Sequence, residues 1–141
     1  MVVGKAMIVA GIGCRKDVGT EAVLAAIEEA LSHHRLTVAE LDAIATAPLK
    51  RDEPALHAAA FQLGLNLIVV AEEALRDAEA DTLTSSQSSL DHAGSRSISE
   101  AAALAAAGPG SRLLGPRFAA GSVTCAIAVG AGFDPMRRRA P

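Results

Sequence analysis

The stretch Ala6-Met7-Ile8-Val9-Ala10-Gly11-Ile12-Gly13 decides the class of fold. Its unbroken apolar run lacks the alternation of a half-exposed strand, so it predicts a strand buried on both faces that enters a tight loop at the glycines. A helix is predicted from Thr20, because glutamates avoid the helically spaced apolar positions Val23, Leu24, Ile27 and Leu31. A buried strand followed by an amphipathic helix is typical of a βαβ unit.

The rest of the chain continues this alternation of strands and helices. Leu65 to Val70 is predicted to form a strand, in which Leu67 to Val70 are apolar on both faces. A Gly115 to Gly121 turn is predicted to join the two closing strands. The other predicted elements are strands at 43–46, 112–114 and 122–129 and helices at 52–63, 71–76 and 97–107. They predict a three-layer α/β/α fold with a mixed, largely parallel sheet, in which residues 1–130 form one domain and 131–141 a flexible tail.

Composition excludes several classes of protein. The 141 residues are 50% hydrophobic and 21% charged, with a formal net charge of −3 at pH 7, which is typical of one globular domain rather than of a disordered chain. No apolar run is long enough for a membrane span, and the acidic balance without Trp or Tyr argues against nucleic-acid binding. Cys14 and Cys125 form no C-x-x-C pattern, so we expect a reducing, cytoplasmic environment. An export signal at Lys5 to Gly13 is the alternative, although no cleavage site follows it.

The segment from Gly11 to Lys16 is a candidate anion site. Exposed backbone N–H groups near a helix start, flanked by Arg15 and Lys16, suit a negatively charged ligand. The dinucleotide fingerprint is incomplete, because Lys16 occupies the position of its third glycine. The alternative interpretation is a tight turn with solvated charges.

A second group of charges, Lys50-Arg51-Asp52-Glu53, follows the second predicted strand. In a parallel sheet it emerges at the same edge as Gly11 to Lys16, and Arg117 lies in the turn between the last two strands. Taken singly, these are ordinary surface charges. Two or three of the cations, brought to one rim, suit a ligand that carries several carboxylates, because separate lysines and arginines pair separate oxygens.

Cys14, Asp52 and Glu53 are the candidate catalytic residues. The cations after Cys14 lower a thiol's pKa, which favours a nucleophile, whereas a small packed residue is the alternative. The two carboxylates suit an acid–base role, or otherwise a helix start. The four histidines show no metal-binding spacing, so no metal and no cofactor is predicted.

Four ordered segments together resemble the CobE family, which also includes the C-terminal domain of CbiG, the cobalt-precorrin-5A hydrolase. These segments are Val9 to Arg15, Leu49 to Pro54, Ser97 to Leu104 and Gly121 to Ala128. The sequence departs from the family pattern in having Ala47-Pro48 before Leu49, where an aspartate is usual, and Arg117 in place of a lysine. A stand-alone chain of this length resembles CobE of the aerobic route to cobalamin.

The resemblance implies a role in cobalamin biosynthesis, in assembly of the corrin ring. The expected partner is a corrinoid or precorrin intermediate, a porphyrin-type macrocycle fringed with carboxylates, and other enzymes of the pathway are possible partners. In this tetrapyrrole-binding hypothesis Arg15, Lys50 and Arg117 pair carboxylates, Gly11 and Gly13 let the backbone approach, and the Thr84 to Ser89 loop, with Ser85, covers the ligand. The alternatives are an enzyme of the hydrolase type that opens a lactone and a scaffold that contacts only proteins.

Overall fold

The computed structural model describes residues 7–79, 82, 98–108 and 110–130. In this part of the chain strands and helices alternate through the third strand and the third helix; the last helix comes next, and three strands follow it. The strands are β1 (Met7–Cys14), β2 (Ala43–Thr46), β3 (Asn66–Val69), β4 (Arg112–Leu113), β5 (Phe118–Ala120) and β6 (Val123–Gly130). The α-helices are α1 (Thr20–His33), α2 (Pro54–Leu63), α3 (Glu72–Ala78) and α4 (Ile98–Ala107), with short 3-10 helices at Val38–Glu40 and Pro48–Lys50.

The strands form one mixed sheet in the order β3-β2-β1-β6-β4, with β5 also paired to β6. β1, β2 and β3 are parallel, with Val9 opposite Ala43 and Ala43 opposite Asn66. β6 is antiparallel to β1 along its whole length, and β4 and β5 are antiparallel to β6. The prediction of a mixed α/β sheet is therefore confirmed.

Helices cover both faces of the sheet and complete three layers. Ala10 and Ile12 of β1 are fully buried in a core formed with α1 and α2. Val9 lies on the opposite face, in a second core formed with α3 and α4. This division follows from the alternation of side chains along a strand. The predicted three-layer arrangement is confirmed.

The predicted turn at Gly11 and Gly13 is wrong, because both glycines lie inside β1. Gly11 pairs with Ala126 and Gly13 with Thr124 across the junction with β6, so the strand continues to Cys14. The absent side chain of Gly11 serves helix packing instead. A Cβ atom there would lie 2.6 Å from the main-chain nitrogen of Ala103 and would also meet the carbonyl oxygen of Ser99.

Two predictions about the outer strands are also wrong. β3 is the last strand at its end of the described sheet, with Asn66 exposed and its apolar residues only half-buried, whereas the sequence predicts burial on both faces. The predicted Gly115 to Gly121 turn contains β5, in which Phe118 pairs with Cys125. An apolar pattern reports the preference of a side chain for burial and carries no information on which strand lies at an edge.

The other local predictions are largely confirmed. α1 begins at Thr20, β2 has the predicted bounds, and α2 ends at Gly64 in the left-handed conformation with φ 71°. α3 extends to Ala78, two residues beyond the predicted end. Ser97, the segment with Ser85 and the tail 131–141 lie outside the described residues. Within the described part, no helix combines the length and hydropathy required to cross a membrane.

Candidate functional site

A cleft lies where the parallel strands β1 and β2 reach their carboxyl ends. Its volume is about 440 Å³. One side follows β1 and the other is the connection from β2 to α2, as the sequence predicts for two loops at the same sheet edge. The lining residues are Lys16, Asp17, Leu49, Lys50, Asp52, Glu53 and Pro54.

The connection from β2 to α2 is held tightly, and its shape presents side chains to the cleft. Thr46 donates a hydrogen bond from Oγ1 to the carbonyl of Ile12 at 2.9 Å, which fixes the end of β2 against β1. The backbone N–H of Lys50 bonds the carbonyl of Ala47 at 3.0 Å in the following 3-10 turn. This turn leaves the side chain of Leu49 90% exposed, next to the half-buried Lys50.

The cleft contains charges of both signs. The lining residues include two lysines, Lys16 and Lys50, and three acidic residues, Asp17, Asp52 and Glu53. Asp52 is exposed, whereas Glu53, the residue that precedes α2, is only 8% exposed. The cleft lining therefore combines lysines with the acidic residues of the Lys50 to Glu53 segment that the sequence predicts at this rim.

Cys14 ends β1 half-buried, on the face covered by α1 and α2. Burial raises the pKa of its thiol; the charge of Lys50 lowers this pKa and that of Glu53 raises it. The prediction of a lowered pKa is wrong, since the desolvation of the thiolate outweighs the nearby cation. Cys14 is thus a protonated thiol at neutral pH. Cys125 is fully buried, as predicted for a core residue.

Arg15 and Arg117 are not among the residues that line the cleft. The exposed Arg15 donates its backbone N–H to the carbonyl of Ser122 at 3.3 Å. The backbone N–H of Arg117 bonds Oε2 of Glu100 at 2.8 Å, and Glu100 is fully buried in the first turn of α4. Of the cations predicted at one rim, the structure brings Lys50 together with Lys16 only.

The sequence predicts that the backbone at Gly11 and Gly13 contacts a ligand. Gly11 has no open surface for such a contact, because α4 covers it. A Cβ on Gly13 would lie 2.8 Å from Oγ1 of Thr124, so this glycine permits a close contact between β1 and β6. Ser85 lies outside the described residues. The roles proposed for these residues in ligand binding stay predictions.

Sequence reasoning missed Asp17, Leu49 and Pro54 as cleft residues and Glu100 as a buried carboxylate. Asp17 has φ 63°, a left-handed conformation that aspartate tolerates and that no sequence pattern here indicates. Leu49 is an apolar residue among charged loop residues, and this pattern indicates an exposed residue that can contact a ligand. Glu100 fits the spacing of a capping box, which predicts a solvent-facing helix start rather than full burial.

The described ranges contain no group of three His, Cys, Asp or Glu side chains arranged to hold a metal ion.

An open α/β sheet with a cleft outside the carboxyl ends of its parallel strands has the arrangement in which α/β proteins bind ligands. Residues 8–128 match the family model for the cobalamin synthesis G C-terminus. The chain belongs to this family, and the predicted relationship to CobE and the C-terminal domain of CbiG is confirmed.

Solved structures agree with this assignment. CobE, a protein from the cobalamin (vitamin B12) biosynthetic pathway, matches with a TM-score of 0.83 and 34% identity over 95% of this chain and 98% of its own. The cobalamin biosynthesis protein chiG from Agrobacterium tumefaciens str. C58 matches with a TM-score of 0.71 and 52% identity, over 88% of this chain and 98% of its own.

A longer relative contains the same fold. A putative cobalamin biosynthesis protein G homolog from Sulfolobus solfataricus matches with a TM-score of 0.66 and 25% identity, over 90% of this chain and 38% of its own. No curated protein matches the sequence. Together, the family model and these structures identify a protein of cobalamin biosynthesis.

Proposed function

We propose that the protein binds a polycarboxylate precorrin or corrinoid intermediate of corrin-ring assembly at the carboxyl-end cleft and hands it on within the pathway. One observation carries the proposal: Lys16 and Lys50, which follow different strands, meet across one cleft beside the exposed Leu49. Separate ammonium groups pair with separate carboxylates of a ligand. Family membership supports the pathway, and the cleft supports the mode of binding.

The size of the cleft favours contact with one edge of the macrocycle. Its volume of about 440 Å³ lies in the lower half of the range of about 300–1,000 Å³ for small-molecule sites. A corrin ring with its side chains is larger than this. Lys16 and Lys50 therefore bind carboxylates at the edge, while Leu49 contacts the apolar ring surface. A ligand held by its edge stays accessible for transfer to another protein.

Binding is favoured over hydrolysis by the state of the candidate catalytic groups. Burial raises the pKa of Cys14, so the reactive thiolate is scarce at neutral pH. Asp52 is exposed to solvent rather than enclosed in a site that excludes water. Hydrolase-type turnover and a protein scaffold are the competing outcomes of the test.

The test is a titration of the protein with cobyrinic acid, a corrin with carboxylate side chains, followed by absorbance and gel filtration. We expect Lys50→Gln to weaken binding about tenfold at low salt, and salt to reduce the difference. Arg76→Gln is the matched control, because it removes one exposed positive charge from α3.

The three outcomes separate the three functions. Co-elution of an unchanged pigment, weakened by Lys50→Gln and unaffected by Arg76→Gln, supports the carrier. Conversion of the pigment to a new spectral species would indicate an enzyme. If no pigment is retained or converted, the binding proposal is wrong and a scaffold role replaces it.

A further inference from the structure

The connection from β2 to α2 contains a four-residue turn that carries part of the cleft lining. The backbone N–H of Glu53 bonds the carbonyl of Lys50 at 3.1 Å, which closes the turn with Arg51 and Asp52 at its centre. Arg51 has φ −54° and ψ −36°, the values of the first central residue of a type I turn. Because Lys50, Asp52 and Glu53 line the cleft, the conformation of this turn determines how their side chains are directed.

His57 connects this turn to the helix that follows it. The ring nitrogen Nε2 of His57 is hydrogen-bonded to the carbonyl oxygen of Arg51, six residues earlier in the chain. A carbonyl oxygen only accepts, so Nε2 carries a hydrogen and is the donor of this bond. His57 is an exposed residue of the first turn of α2 and is not among the residues that line the cleft. Its bond therefore affects the cleft only through the turn.

The peptide group between Arg51 and Asp52 is the part of the turn that can change direction. Rotation of this group converts a type I turn into a type II turn, which requires a positive φ at the second central residue. Aspartate tolerates a positive φ, but Asp52 does not have one in this structure. Since the rotation would direct the carbonyl of Arg51 away from His57, the hydrogen bond favours the observed turn and restricts its motion.

We propose that His57 is a positioning residue for ligand binding, which holds the turn in the conformation that presents Lys50 to a carboxylate of the ligand. This inference rests on the proposed function and identifies a residue outside the cleft on which binding depends. A turn that is already ordered loses less conformational entropy when the ligand binds. Loss of the ring donor leaves Lys50 in the cleft but makes its ordering by the ligand more costly.

The first experiment measures the dissociation constant for cobyrinic acid by absorbance titration. We expect His57→Ala to weaken binding about threefold, in the lower part of the range for one hydrogen bond, because water competes with a bond at an exposed site. His57→Gln retains an N–H donor with a reach similar to that of Nε2, so it should bind like the wild type. His57→Asn places its donor nearer the backbone, out of reach of Arg51, and should bind like His57→Ala.

Gln62→Ala is the matched control for these variants. It removes an exposed polar side chain from the same helix, and this side chain makes no hydrogen bond within the described part of the chain. Its dissociation constant should equal that of the wild type. The inference is wrong if His57→Ala binds like the wild type, or if His57→Gln binds as weakly as His57→Ala.

A second experiment tests the position of Lys50 without a ligand. The charge of Lys50 lowers the pKa of the Cys14 thiol, so Lys50→Gln is expected to slow the alkylation of Cys14 by iodoacetamide about threefold. If His57 positions Lys50, the same substitution in a His57→Ala background should slow the reaction less than about twofold. An equal slowing in both backgrounds would overturn the inference.

The two experiments distinguish the failure of this inference from the failure of the proposed function. If the wild-type protein binds no cobyrinic acid, the proposed function is wrong, and the alkylation rates still decide whether His57 positions Lys50. If the wild type binds cobyrinic acid and Lys50→Gln weakens binding while His57→Ala does not, the proposed function stands and this inference is wrong.

Discussion

At the scale of single residues, Gly11 has the most sharply defined packing role. A side chain there would meet the main chain of α4 at Ser99 and Ala103, and neither strand nor helix moves without disturbing its neighbours. We expect Gly11→Ala to lower the free energy of unfolding by about 3 kcal/mol, the upper part of the usual range for overpacking. Urea denaturation measures this change.

Gly19→Ala provides the matched control for this substitution. Gly19 lies before α1 with φ −81°, and no atom lies within 4 Å of the position of a new Cβ. Its substitution is expected to change the free energy of unfolding by less than about 1 kcal/mol. Equal effects of the two variants would mean that α4 does not rest on β1 at Gly11.

The reactivity of Cys14 reports the electrostatics of the cleft. Thiolate is the reactive form, and burial raises the pKa of this thiol, so alkylation by iodoacetamide should be slow at neutral pH and accelerate as the pH rises. Lys50→Gln should raise the pKa further and slow the reaction. Glu53→Gln should lower the pKa and accelerate it.

Mass spectrometry after timed alkylation separates the two cysteines. Cys125 is fully buried, and burial raises its pKa to about 12, so it should stay unmodified while Cys14 reacts. If Lys50→Gln and Glu53→Gln both leave the rate for Cys14 unchanged, these charges do not act on the end of β1.

The sequence predicted which loops meet at the site, but not the chemical state of the residues there. Lys50 and Glu53 follow a parallel strand. Loops that follow parallel strands emerge at one sheet edge, and this rule predicts that Lys50 and Glu53 line the same cleft as Lys16. The pKa of Cys14 depends on how far packing excludes water, which a linear sequence does not contain. For the same reason sequence reasoning predicted a helix-starting role for Glu53 and missed its burial.

At the scale of elements, the carboxyl end of α1 makes stability depend on pH. His34 follows the helix, and its ring carbon Cε1 would lie 3.0 Å from a Cβ on Gly115. Burial lowers the pKa of His34, and the charge of His33 lowers it further. Below about pH 6.5 the unfolded chain therefore binds more protons at this position than the folded chain. The free energy of unfolding consequently decreases as the pH is lowered.

The test compares wild type with His34→Gln by urea unfolding at about pH 7.5 and about pH 5.5. The stability of the wild type should decrease more than that of the variant on acidification, because only the wild type has the histidine that the fold prefers neutral. A decrease of the same size in both proteins would assign the pH dependence to other groups.

The ends of helices and strands were easier to predict from the sequence than the pairing of strands in the sheet. Apolar spacing and local signals fixed β2 and the end of α2 at Gly64, since caps and turns depend on neighbouring residues. The same signals did not show that β1 continues through Gly11 and Gly13, which pair with β6, or that β5 lies within the predicted turn. Those features arise from pairing between segments distant in the chain, and local patterns do not encode them.

At the scale of the whole molecule, the site lies where a long strand pair meets the connections that leave the sheet edge. β1 pairs with β6 over eight residues and is covered on both faces, while the cleft is formed by the connections that leave the sheet edge. A rigid strand pair thus fixes the ends of the loops, and the loops carry the groups that we propose bind the ligand. The proposed binding by Lys50 depends on this arrangement, because the turn that carries Lys50 follows Thr46, whose side chain is hydrogen-bonded to the carbonyl of Ile12 in β1.

Hydrogen exchange tests the same gradient of stability across the sheet. β1 is central, and its residues from Val9 to Ile12 are buried, whereas β3 is a four-residue strand at the end of the described sheet with half-buried apolar residues. We expect the paired amides of β3 to exchange through local openings. The free energy of these openings should be at least about 2 kcal/mol lower than that of the global unfolding that exposes the amides of β1. Equal protection of β3 and β1 would contradict this, and it would mean that the free side of β3 is covered in solution. Repeating the exchange at a lower protein concentration distinguishes the two kinds of cover, because protection by a second copy of the chain is lost on dilution and protection within one chain is not.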